Sequence, residues 1–195
     1  MATTKLLFKY GTQLCFADHE GDFTTGTPHT TGTAANSLII GTPTEIQLDL
    51  TGVAATEARE SDKTATLADT GTSWPGEWEL GACLEHVDTP TAGEYVNFYW
   101  CGSPNATAAS GNAGLVTGSD ADIAIAGKSQ WKFIGQLILR AAAVNINPCI
   151  SRFRMPYLYG SLIVENVCPT KAMFTDAVEM HVVCTPIIPD GQAAA

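Results

Sequence analysis

The sequence predicts an all-β protein: an antiparallel β-sandwich of jelly-roll-like type, preceded by an extended N-terminal arm. Three observations lead there. Short runs in which apolar and polar residues alternate recur along the chain, as half-buried strands require. Clusters of Gly, Pro, Asn, Asp and Ser interrupt them about every eight to twelve positions, the spacing of a sandwich or barrel. No segment sustains the 3.6-residue apolar period of an amphipathic helix.

Composition narrows the function. A chain of 195 residues is long enough to bury one full core. Charged residues make up only 15%, below the roughly 25% of an ordinary soluble domain, which points to extensive contact with other chains. Ten basic residues against twenty acidic ones give a net charge of −10, which argues against a direct grip on nucleic acid or on an acidic membrane surface. The first residues lack an apolar core of signal-peptide length, so the expectation is synthesis in a cytosol. Cys15, Cys83, Cys101, Cys149, Cys168 and Cys184 are then expected as thiols, and the sequon at Asn105 as unused.

Taken in order, Leu6, Phe8 and Tyr10, then Leu14 and Phe16, alternate as an extended segment, and the run Thr24-Thr-Gly-Thr-Pro-His-Thr-Thr-Gly-Thr33 is too polar to pack. Residues 1–36 are therefore expected to form an arm and a Thr/Gly-rich linker, residues 37–189 the sandwich, and residues 190–195 a flexible tail. Ile46, Leu48 and Leu50 alternate with Gln47 and Asp49 as a strand. Residues 56–63 are polar and leave room for a short helical turn before a short apolar run at 64–68. Residues 77–87 and 94–101 alternate on either side of a turn and predict a hairpin. Residues 102–118, rich in Gly, Ser, Asn and Ala, form a loop long enough to be functional or mobile. Residues 130–140 and 158–168 are nearly uncharged and predict two buried strands, the scaffold of the domain, with a polar-aromatic bridge between them that leaves room for a short strand over residues 144–146. A last strand is expected over residues 178–188.

The constellations that carry chemistry are weak. Cys83 and His86 with His181 and Cys184 offer two thiolates and two imidazoles, but residues three apart on a strand project to opposite faces, so zinc is not expected. Asp120 and Asp122 could help hold calcium, although six to eight oxygens are not visible nearby. Glu77, Glu79 and Glu85 more simply form the wet face of a strand than a glycosidase pair, and no Gly-x-Ser-x-Gly elbow is present. The expectation is thus a protein without catalytic residues, cofactor or metal. Aromatics such as Trp74, Trp78, Trp100 and Trp131 should mostly be core, while Tyr157 and Tyr159 beside Arg152 and Arg154 are expected to present a contact surface. Arg59 and Lys63 are expected to form an inter-subunit polar contact.

The order of elements resembles bacteriophage virion proteins of β-sandwich type, found as head decoration, fibre or tail-associated components. The resemblance spans residues 45–190: residues 58–63 ahead of a strand, Pro90-Thr-Ala-Gly-Glu-Tyr-Val96 running into Phe98-Tyr-Trp100, Phe133-Ile-Gly-Gln-Leu137, Tyr159-Gly-Ser-Leu-Ile-Val-Glu-Asn166, and Thr185-Pro-Ile-Ile-Pro-Asp190. It implies a non-enzymatic virion structural protein, made in a host cytoplasm, that decorates or cements a capsid as a homo-oligomer bound to the major capsid protein or other virion subunits. The alternative is a tail- or fibre-associated carbohydrate-recognition module for host adsorption. Six cysteines and the threonine-rich arm depart from that pattern.

Overall fold

A computed structural model of the chain describes residues 6–21, 23, 37–64, 76–157, 159–176 and 180–191. Among the described residues eleven strands lie in two sheets: β1 Leu6–Tyr10, β2 Leu14–Ala17, β3 Thr44–Gln47, β4 Ala58–Glu60, β5 Glu77–Glu85, β6 Tyr95–Ser103, β7 Ala121–Ile123, β8 Lys132–Ile138, β9 Val144–Phe153, β10 Tyr159–Asn166 and β11 His181–Gly191. A 3-10 helix, Ile125–Gln130, precedes β8. One sheet has the order β3-β2-β11-β5-β9, with β1 also on β11, and the other β7-β4-β10-β6-β8. Apart from the parallel β2–β3 pair, the ladders are antiparallel. The chain is an all-β sandwich. Its pairs β2–β11, β4–β10, β5–β9 and β6–β8 are nested, each inside the one before.

Alternation decides which side chains meet between the sheets. Trp78, Leu80, Ala82 and Leu84 of β5 face Phe98, Trp100, Leu162 and Val164 of the other sheet in the main core. Each outer face carries a smaller apolar cluster. Cys15, Ala17 and Val183 are covered by Phe23, Leu38 and Ile39, and Tyr99, Cys101 and Ile163 by Val116, Trp131 and Ile125.

Several expectations change. Residues 77–85 and 95–103 do not form a hairpin, because the connection between them carries the chain from one sheet to the other. The two scaffold strands share a sheet but are separated by β6, and the bridge between them is mostly β9, a strand that crosses to the opposite sheet. Pro148 sits where the β5–β9 register slips, so its missing N–H costs no ladder bond, and its carbonyl lies where a Cβ on Gly81 would be, 2.8 Å away. Residues 58–60, read as polar turn, form β4 between β10 and β7.

The expected arm is in part an integral strand. Ile187 pairs with both Tyr10 and Glu77, so β1 and β2 run end to end along the edge of β11 opposite β5. Leu14 and Phe16 are buried in the main core. Pro186 marks the break between β1 and β2, where its carbonyl accepts from the Gly11 amide. The linker at 24–36 and the run 65–75, which includes Trp74, lie outside the described residues, as do residues 192–195. β11 itself continues to Gly191, past the expected end of the domain. No described helix is long and apolar enough to cross a membrane.

Candidate docking groove

The strand order β1-β11-β5-β9 places five side chains in adjacent rows on the outer face of one sheet. Tyr10, Ile187 and Glu77 align across β1, β11 and β5, and Glu79 lies directly opposite Arg152 on β9. Glu79 is nearly buried. Its Oε1 accepts from Arg152 Nε at 2.9 Å and from Arg152 Nη2 at 2.6 Å, while the guanidinium itself is exposed. The same carboxylate holds the Tyr10 phenol, whose pKa rises above its ordinary value through that hydrogen bond and the adjacent negative charge.

Around this pair runs a continuous groove. A recess of about 250 Å³ is lined by Phe8, Lys9, Tyr10, Glu77, Arg152 and Ile187. A second, sharing Glu77 and Arg152, continues over Lys132, Phe133, Phe153 and Arg154. Lys132 Nζ donates to the Arg154 carbonyl, which ties the start of β8 to the end of β9. Phe8, Tyr10 and Phe133 expose more than half of their surface here. Four cations against two carboxylates make the groove a basic patch on a chain whose net charge is −10.

The other residues expected at a contact lie elsewhere. Arg59 is held among Asp120, Asp122 and Asp49, at 2.7, 3.4 and 3.9 Å, and occupies the place a cation would need between those carboxylates. Lys63 is buried, its ammonium donating to Ser103 Oγ and to the carbonyls of Asn105, Thr107 and Ser110 at 2.7–3.2 Å. Both serve the inside of this chain. Tyr157 is exposed, in the left-handed region at φ 72°, and its ring lies against Gly102; Tyr159 opens β10 and is half-buried. Neither lines the groove.

The long loop is pinned rather than loose. Besides the Lys63 anchor, the buried Glu60 carboxylate accepts from the amides of Thr117 and Gly118 and from Thr117 Oγ1. Downstream, Lys128 of the 3-10 helix, Tyr99 and Asn97 all donate to Glu165 at 2.7–2.9 Å. Gly127 makes this seat, since a Cβ there would stand 1.8 Å from the Gly114 carbonyl oxygen.

The four residues with zinc-like spacing are divided. Cys83 and His181 face each other across the β5–β11 ladder on the outer face, and Cys184 points into the main core. His86 lies 3.8 Å from Cys168 in the interior. That thiol and imidazole are fully buried, and burial drives the thiol pKa up to about 11 and the imidazole pKa down, so both are neutral and out of reach of a substrate. Of the carboxylates weighed for glycosidic chemistry, Glu79 is committed to Arg152.

Sequence reasoning named Arg152 and Arg154 but missed Glu79, Tyr10 and Phe133. The alternation of β5 does place Glu79 outward, but only the pairing of β5 with β9 gives it Arg152 as a neighbour. No protein-family model, curated protein or solved structure matches the chain. The resemblance to phage β-sandwich proteins therefore rests on its strand edges and turns alone.

Proposed function

We propose that the chain is a non-enzymatic structural protein of a phage virion, a decoration or cement subunit that docks on neighbouring virion subunits through the groove around Arg152. The observation that carries the docking part is the groove itself: exposed aromatic rings and a cluster of cations gathered on an otherwise acidic molecule, while Arg59, Lys63 and Lys128 are engaged internally. The virion part is supported by the sandwich fold and the resemblance. The test is co-sedimentation of the purified chain with undecorated phage shells. Binding that falls on Arg152→Lys together with Arg154→Ala is expected, and absence of binding by the unmodified chain overturns the reading. The exposed rings of Phe8, Tyr10 and Phe133 also favour the second reading, a carbohydrate-recognition module, which a glycan array with saturable, ring-dependent binding would establish instead.

A further inference from the structure

We infer that Arg152 is a pre-oriented receptor for a carboxylate carried on an extended, otherwise apolar segment of a partner protein, with Glu79 as its positioning residue. This rests on the docking reading and names the chemistry of the occupant.

The guanidinium has one edge committed. Nε and Nη2 both donate to Glu79 Oε1, which fixes the plane of the group, while 63% of the side chain stays exposed. An arginine already held by a buried carboxylate loses less side-chain freedom when it takes a second anion than a mobile one does. The walls specify what accompanies the anion. Phe8, Tyr10 and Ile187 line one end and Phe133 and Phe153 the other, so apolar side chains on both sides of the carboxylate are accommodated. The two recesses share Glu77 and Arg152, which suits an extended segment with one carboxylate and an apolar side chain two residues to either side of it, all on the same face. The charge balance selects the anion. Glu77 and Glu79 leave only a small cationic surplus, enough for single carboxylates and too little for a run of phosphates.

The experiment measures fluorescence anisotropy of the fluorescein-labelled heptapeptide Gly-Leu-Ser-Glu-Ser-Leu-Gly, whose Glu and two Leu share one face when extended, titrated with the full chain at low salt, beside the same peptide with Gln for Glu. Saturable binding of the Glu peptide is expected, weaker by roughly tenfold or more for the Gln peptide and for Arg152→Lys, which keeps the charge but loses the fork. Glu79→Gln should weaken binding and move the Tyr10 phenol titration down towards its ordinary value while the far-ultraviolet dichroism spectrum stays that of the unmodified chain, which separates the effect from loss of fold. Arg140→Ala, exposed outside the groove, should change nothing. Equal binding of the two peptides, no binding, indifference to Arg152→Lys, or displacement by inorganic phosphate or an acidic oligosaccharide at concentrations below those of unlabelled peptide overturns the inference. Peptide binding without shell binding sinks the virion reading alone. Shell binding that ignores Arg152→Lys sinks this inference alone.

Discussion

Glu60 and Lys63, three residues apart where β4 ends, hold opposite polarities of one loop: the carboxylate takes the amides of Thr117 and Gly118, and the ammonium takes the carbonyls of Asn105, Thr107 and Ser110. A stretch with little apolar content of its own is thereby fixed over the outer face of the second sheet, closing it above Tyr99 and Ile163.

Lys63→Met keeps the length of the side chain and removes the donor, leaving the carbonyls of Asn105, Thr107 and Ser110 and the buried Ser103 Oγ to find other partners. A loss on the order of 3 kcal/mol is expected. Urea unfolding followed by far-ultraviolet dichroism measures it, and a midpoint equal to that of the unmodified chain would show that the loop does not depend on this ammonium.

Glu165 gives the second sheet a pH limit. Burial acts to raise its pKa, but hydrogen bonds from Lys128, Asn97 and Tyr99 outweigh it and hold the carboxyl below the ordinary value of 4.5. A depressed folded pKa adds stability that is fully present above the unfolded value and is lost as pH falls through the folded one. Glu165→Gln should therefore lower the melting temperature at pH 7 and lose less than the unmodified chain on acidification below about pH 4.5. Parallel acid limbs in thermal melts of the two proteins would contradict this.

Gly127→Ala sets a methyl group against the Gly114 backbone and should displace the 3-10 helix together with Trp131, whose indole donates to the Gly114 carbonyl at 2.9 Å. The expected result is a red-shifted tryptophan emission and a destabilisation of roughly 2 kcal/mol or more. Unchanged emission would mean that the two backbone segments separate without cost.

The thiols should divide sharply. Cys149 is exposed, the other five are buried, and burial pushes Cys15 up to about 12 and Cys184 further still. A thiol-reactive dye should label one cysteine rapidly in the native chain and none rapidly in Cys149→Ser. Two fast-reacting thiols would show that one of the interior sites opens.

The sandwich was legible because alternation reports burial directly: Trp78, Leu80, Ala82 and Leu84 read as one inward face and are one. Pairing was not legible. Nothing local in residues 77–101 says that β5 and β6 belong to different sheets, since the choice is made by β9, β10 and β11, all distant in sequence. Strand β9 was legible only as a short strand over residues 144–146, for a related reason. As an edge strand it carries Pro148 in its register shift, which breaks the alternation into short fragments, so it lacks the signature of one continuous strand. For the groove, Arg152 and Arg154 stood out as cations in an acidic chain. Arg59 and Lys63 stood out equally, and only the fold separates the cations turned outward from those spent on carboxylates and carbonyls within.

Strand β11 lies between β2 and β5, and Val182 pairs with Phe16 across 166 intervening steps of chain. A polypeptide emerging from the ribosome therefore holds both neighbours of this strand, with Leu14, Phe16, Leu80 and Ala82 already made, from the end of β5 at Glu85 until β11 begins at His181. The second sheet, whose β4, β6, β7, β8 and β10 all precede it, can be complete first. Assembly of the first sheet must wait for translation of its central strand, and loss of the residues after 180 would remove the middle of that sheet rather than trim its margin.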